Sequence, residues 1–227
     1  MIITIDGPTA SGKSTVAKAL ARVLGFYYLN TGMLYRALAY VLLNYCHYTV
    51  DQLHNPDLKD LVNCLDTDKL IYCYNPDGSI LISYQGIDIT PFLKTSEMDQ
   101  AASIVSSNYG VREQLLEFQR RFAKIHNIVA EGRDMGTVVF PLAEKKFFLT
   151  ASIEERGRRW QHDRALQDEK FNLAESMANI HTRDSRDEQR ACAPLKIPQD
   201  SIIIDSTHKS IDEVVKYLVH LVKMPLI

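Results

Sequence analysis

Residues 7–14 carry a spacing that can hold a polyphosphate. Gly7-Pro8-Thr9-Ala10-Ser11-Gly12-Lys13-Ser14 follows G-x-x-x-x-G-K-[ST], and Thr15 continues it. Glycines let backbone N–H groups wrap oxygen anions, and a helix starting at Lys13 would aim its positive end at the same charge. Lys13 is then placed to reach the β- and γ-phosphates of a nucleotide, and the Ser14 hydroxyl to hold Mg²⁺. A second such stretch is Glu131-Gly132-Arg133-Asp134-Met135-Gly136, directly after the apolar run Ile128-Val129-Ala130. Charge and glycine just past a buried strand mark where an open parallel sheet presents ligand groups.

Seven of the thirteen arginines fall in one further segment: Arg156, Arg158, Arg159, Arg164, Arg183, Arg186 and Arg190. Acidic residues interleave with them, so solvated helices tied by i,i+4 pairs such as Arg183 with Asp187 would account for the composition, at ~0.2–0.5 kcal/mol each. Against that, Arg183, Asp187 and Arg190 recur at i, i+4 and i+7 and so share one helix face. Two arginines on one stripe call for an anion between them, and a substrate phosphate matches their planar forks. Asn30-Thr31-Gly32 opens another helix, with Thr31 the expected N-cap and Arg36 one turn in. That helix start is a second anion site, or simply a capped helix with a surface arginine.

The elements that must position these groups follow from the pattern around them. Ile2 to Ile5 is a β-branched run before the loop, and Val16-Ala17-Lys18-Ala19-Leu20 with Leu24 is a helix after it, stopped by Gly25. Phe26 to Leu29, Ile128 to Ala130, Phe147 to Leu149 and Ile202 to Ile204 bring the parallel-type strands to about five. Alternation with helices predicts a doubly wound α/β core. From Asp66 the pattern changes. Leu70 to Tyr74, the turn Asn75-Pro76-Asp77-Gly78, Ser79 to Tyr84 and Ile87-Asp88-Ile89 form hairpin-linked, hence antiparallel, strands. They are expected as an insert over about residues 66–96, in a single domain whose core is about 1–65 and 127–227. Helical patterning resumes at about Glu97, through Ala101, Ala102, Ile104 and Val105, then Val111, Leu115, Leu116 and Phe118.

Composition narrows the function classes. At 227 residues, 46% hydrophobic and 24% charged, the chain has the make-up of one ordinary globular domain. A net charge of -2 and a pI near 6.4 argue against nucleic acid or anionic membrane as partner. Neither a signal peptide nor a bilayer-length apolar stretch is present, which predicts a cytoplasmic protein. Cys46, Cys64, Cys73 and Cys192 lack CxxC spacing, and the seven histidines are scattered, so thiols are expected reduced and no zinc site is expected.

Taken together, these stretches resemble the bacterial cytidylate (CMP/dCMP) kinases, within the P-loop nucleoside monophosphate kinases, over essentially the whole chain. The resemblance rests on Ile5-Asp6-Gly7-Pro8, Gly12 to Thr15, Thr31-Gly32, Tyr35-Arg36, Ala101-Ala102-Ser103, Val111-Arg112-Glu113, Gly132 through Pro141, Arg183 through Asp187 and Ala193-Pro194-Leu195. The Gly-Arg-Asp-Met-Gly-Thr-Val-Val-Phe-Pro stretch is far more specific than the P-loop. It implies a three-layer P-loop fold: a parallel five-stranded sheet flanked by helices, a small antiparallel β insert on the monophosphate side, and a helical arginine-rich lid at about 154–186. It further implies ATP on residues 7 to 15 with Arg156 and Arg159 of the lid, and Mg²⁺ at Ser14, with Glu131 as a second candidate. The acceptor phosphate would be held at Thr31, Arg36, Arg133 and Arg190, the sugar at Arg183 and Asp187, and the cytosine edge at Ser103, Arg112 and Asp134. Lys13, Arg133, Arg183 and Arg190 would carry the catalytic charge, in a monomer.

Three positions depart from the family pattern. Ala10 stands where a P-loop glycine is common, tolerable if its φ stays negative. Asn30 replaces a frequent aspartate, and Glu131 replaces aspartate with a longer reach. The reaction implied is γ-phosphoryl transfer to a monophosphate. With a second pKa near ~6 that acceptor is already anionic at neutral pH, so no general base is required. Rival readings are a P-loop kinase for UMP, AMP or a non-nucleotide, and a regulatory P-loop ATPase.

Overall fold

The computed structural model describes residues 1–166 and 170–224, so residues 167–169 of the expected lid lie outside the described residues. By internal contacts the chain forms two compact units, Met1–Tyr28 with His126–Ile227, and Leu29–Ile125.

In the first unit β1 (Ile2–Asp6) leads through the P-loop into α1 (Lys13–Leu24), and β2 (Tyr27–Asn30) follows. Ile3, Ile5, Val16, Ala17 and Leu20 are buried, so the strand and the inner face of the helix share one core. Gly12 takes the N-cap of α1 at φ 88° with no side-chain cap, and Gly25 closes the helix at φ 67°. An uncapped helix start leaves its N–H groups for a ligand.

The second unit is described by itself. Here α2 (Thr31–Asn44) and α3 (Leu58–Cys64) precede the antiparallel sheet of β3 (Leu70–Tyr74), β4 (Ile80–Tyr84) and β5 (Ile87–Asp88), and α4 (Ser96–Val105) and α5 (Tyr109–Ile125) follow. The hairpin turn falls on the expected residues: Asn75 and Gly78 donate to Ser79 and Asn75 carbonyls, at 2.9 and 2.8 Å. The α2 cap differs from expectation. Asn30, not Thr31, is the N-cap, its side chain accepting from the Met33 N–H at 3.0 Å, and Thr31 is the first helical residue. Asparagine is the better cap because its carbonyl reaches the third helical N–H without giving up a β-branched rotamer.

Returning to the first unit, the chain adds β6 (Ile128–Gly132), β7 (Lys145–Thr150), α6 (Ile153–Ala165), α7 (Leu173–Gln189), β8 (Ile202–Asp205) and α8 (Ile211–Lys223). The five-stranded sheet runs β2-β6-β1-β7-β8. β1 is parallel to both neighbours, with Ile5 opposite Glu131 and Phe147, and Asp6 opposite Gly132 and Phe148. That register sets the P-loop beside the Glu131–Asp134 stretch, across one strand spacing of ~4.8 Å. α1 packs on β6 and α8, and α6 on α7. β8 is an edge strand whose Ile202 and Ile203 are exposed, so this apolar run is less buried than its composition predicts.

Candidate active site

The P-loop is held by contacts only its residue types allow. A Cβ on Gly7 would sit 2.1 Å from the Leu149 carbonyl oxygen of β7, so any side chain there would force the loop off the sheet. Lys13 is buried, and its ammonium donates to the Pro8 carbonyl at 2.8 Å. Burial, then the nearby Arg133 guanidinium, pulls its pKa from 10.5 down to about 7. Ala10 has φ 57°, so the condition under which alanine would be tolerated there without strain is not met. The tight turn of the loop demands that conformation, and alanine occupies it at a cost of ~1–2 kcal/mol.

Arginines secure the carbonyl side of the loop. Arg156 of α6 donates to the Thr9 carbonyl at 3.1 Å, and Arg159 to the Ser11 carbonyl at 3.2 Å and the Ser206 carbonyl at 2.8 Å. Arg156 also pairs with Asp184 of α7, whose other oxygen accepts the Thr9 N–H at 2.8 Å. Helices α6 and α7 thus both meet the loop within one unit, through Arg156 and Arg159, candidates from the sequence, and through Asp184, which was not one. Only the position of Asp184 beside Arg183 hinted at it.

The end of β6 contributes the next layer. Ser14 donates to Glu131 at 2.8 Å, and the Tyr28 hydroxyl reaches the same Glu131 oxygen at 3.2 Å. Arg133 spans outward, donating to Thr9 Oγ1 at 3.2 Å and to Asp187 at 2.7 Å. Burial opposes its charge, but Asp187 more than offsets this and leaves the Arg133 pKa raised; reciprocally, burial raises Asp187 while Arg133 brings it below the ordinary carboxylate range. Asp134 and Arg190 lie 3.6 Å apart. Asp6, at the end of β1, accepts the Met135 and Gly136 N–H groups at 2.9 and 2.8 Å and so fixes the π-helical turn Met135–Val139. Burial pushes its pKa up to about 7 despite those two donors. Sequence reasoning passed over Asp6, although an aspartate between a buried strand and a P-loop glycine is a signal.

The arginine stripe on α7 departs from expectation. Arg190 is the C-cap, with ψ 140°, and its guanidinium turns to the Ala193 carbonyl at 2.7 Å. Only Arg183 and Asp187 keep helical spacing, and the anion among these cations is Asp187 itself, 4.0 Å from Arg190. The chain leaves the helix at Arg190 because Pro194 follows closely.

The remaining candidates belong to the second unit. Arg36 of α2 pairs with Asp99 of α4 and donates to Met33 Sδ at 3.4 Å. Arg112 of α5 donates to the Ser106 carbonyl at 3.0 Å and lies over the Tyr35 ring, 5.4 Å from its centroid. Thr31 is buried at the start of α2, and Ser103 is half-buried on α4.

Among the described residues no group of three or more His, Cys, Asp or Glu side chains could hold a metal, which excludes an all-protein cage there. A hydroxyl and a carboxylate 2.8 Å apart beside a phosphate loop do fit Mg²⁺, which takes one or two side chains and fills its shell with water and phosphate oxygens. Among the described residues no helix is long and apolar enough to cross a membrane.

A family model described as cytidylate kinase matches residues 3–224. "Cytidylate kinase" of Pseudomonas entomophila (strain L48) is 44% identical over 95% of this chain and 92% of its own length. "Cytidylate kinase 1" of Haemophilus influenzae is 41% identical over 95% and 90%. Among solved structures, an uncharacterized protein from Eubacterium ventriosum shares the fold at a TM-score of 0.52 and 13% identity, over 99% of both chains.

Proposed function

The chain belongs to the cytidylate kinase family, and from that footing we propose that it transfers the γ-phosphoryl group of ATP to CMP or dCMP, giving ADP and CDP or dCDP. The observation that carries this is the gathering of Lys13, Arg133, Arg156 and Arg159 about the P-loop in one unit. Two polyanions must be brought into line, and unscreened repulsion between them would cost several kcal/mol, of the order of 332/(ε·r). Fixed cations in a dry site remove that cost without reorganising during the reaction. Lys13 would leave the Pro8 carbonyl for the phosphates, whose charge restores its proton. Arg133, Arg183 and Arg190 are the cations we assign to the transferred group and the acceptor, with Thr31 and Arg36 on the acceptor phosphate.

Sugar contacts fall to Arg183 and Asp187. Base selection falls to Ser103, Arg112 and Asp134, because a site built to pair with the cytosine amine leaves buried groups unmatched when uracil enters. Ser14, its hydroxyl hydrogen-bonded to Glu131, would hold Mg²⁺, which would supply charge neutralisation at the phosphates. On this reading α6 and α7, about 154–186, are the lid over ATP, residues 66–96 serve the monophosphate side, and the enzyme works as a cytoplasmic monomer in pyrimidine nucleotide metabolism.

The test is ADP production from ATP and Mg²⁺ with CMP, dCMP, UMP, AMP or no acceptor. Turnover confined mainly to CMP and dCMP supports the proposal. Equal rates with all four acceptors would remove the cytosine assignment, and turnover with none would favour a regulatory ATPase.

A further inference from the structure

Three elements meet at one oxygen atom in the first unit. Glu131 Oε1, on β6, accepts from Ser14 Oγ of α1 at 2.8 Å and from the Tyr28 hydroxyl of β2 at 3.2 Å. The same hydroxyl lies 3.3 Å from the Ser14 carbonyl oxygen, so its single proton is shared between the carboxylate and the backbone of the serine. Tyr28 is 1% exposed and Glu131 3% exposed. We propose that Tyr28 is a positioning residue for Ser14 and Glu131, the pair that would hold the nucleotide's divalent cation; this rests on the Mg²⁺ assignment made above.

A serine hydroxyl offers a lone pair to a cation when its O–H points elsewhere, and here it donates that hydrogen bond to Glu131. A glutamate has one more rotatable bond than an aspartate. Unrestrained, its carboxylate would lose rotamer freedom on every binding event. Tyr28 restrains that freedom in advance through its own hydrogen bond to Oε1, while its second contact ties the start of α1 to the same point. The neighbouring position on β2 does not do this, since the Tyr27 ring stacks on His126 at a centroid distance of 4.4 Å. Groups that orient ligating side chains in this way typically govern metal affinity ten-fold or more.

The experiment uses Mn²⁺ as the probe, with a non-hydrolysable ATP analogue, on the full chain. Tyr28→Phe, read by electron paramagnetic resonance, should weaken Mn²⁺ binding to the protein–analogue complex roughly tenfold, at the low end of that range. Affinity for the analogue in chelator should stay within twofold. Mn²⁺ affinity within twofold of the parent would overturn the proposal. So would an equal loss of metal-free analogue affinity, because that would make Tyr28 a support of the loop as a whole. A second measurement does not depend on the variant folding. With 3-fluorotyrosine at position 28, the fluorine resonance should shift when Mg²⁺ joins the analogue complex, and an unmoved resonance overturns the proposal. Neither readout needs an acceptor nucleotide, so failure of the CMP assignment would be seen separately, in the acceptor panel.

Discussion

Lys13 without nucleotide sits on a carbonyl with its pKa lowered to about 7, whereas bound phosphates would hold it protonated. ATP binding should therefore take up close to one proton between pH 8 and 9 and almost none from Lys13 below pH 6, where the ammonium is already charged. Calorimetry in two buffers of different ionisation enthalpy measures this, and no uptake at pH 8.5 would separate Lys13 from the phosphates. The stability signs also follow. Between about 7 and 10.5 the unfolded chain binds the Lys13 proton that the folded chain has lost, so stability should rise with pH in that window. Asp6 acts oppositely: its folded pKa is raised to about 7 from 3.8, so its contribution is full below 3.8 and lost as pH rises through 7. Ala10 invites a different test. Ala10→Gly should relieve ~1–2 kcal/mol of left-handed strain, less ~0.5–1 kcal/mol of glycine entropy, and raise Tm by about 2–4 °C in thermal unfolding. A lower Tm would mean that the loop does not strain at residue 10. At this scale the sequence offers candidate side chains but not how they sit. Residue types named Lys13, Arg133 and Asp187 in advance, while the φ of Ala10 and the cap at Asn30 depend on the turn around them, which spacing does not encode.

Helices α6 and α7 are joined to the P-loop through the buried ion pair of Arg156 with Asp184 and the Thr9 backbone on either side of it, and through Arg159 on the Ser11 carbonyl and Arg133 between Asp187 and Thr9. Arg156→Leu would strand the Asp184 charge in the interior, and we expect a loss of about 3–5 kcal/mol in denaturant unfolding together with a raised KM for ATP. Arg156→Leu combined with Asp184→Leu should recover part of the stability but not the KM. With Asp184→Leu measured alone as well, single-variant losses that simply add up in the double variant would show that the pair is not coupled. Gly157 lets the two helices approach, since a Cβ there would lie 2.9 Å from Leu173 Cδ1 and from Met177 Cγ. Strands were the most legible elements, because short β-branched runs between turn residues have few other readings; β3 and β4 fall almost where the pattern put them. The stripe on α7 was less so. Helical spacing holds only while the helix lasts, and Arg190 lies at its end.

Across the whole molecule a single tryptophan, Trp160 on α6, can report on movement of that helix. Its ring lies 4.8 Å from that of Phe171 and 5.1 Å from the Arg164 guanidinium. An ATP–CMP bisubstrate analogue should change its emission, and unchanged emission at saturation would count against closure of α6. The order of the sheet has a consequence in time. β1 leaves the ribosome well before the strands it pairs with, since it lies between β6 and β7 and both come more than a hundred residues later. At about 5–20 residues per second, Ile2 to Ile5 must wait for several seconds or longer with an apolar, unpaired strand on view. The intervening Leu29–Ile125 unit is continuous in sequence and can condense meanwhile. The nascent chain thus carries its nucleotide loop exposed until residue 150 or so has emerged, which makes the opening residues a natural handle for chaperones and the stage of synthesis most prone to aggregation.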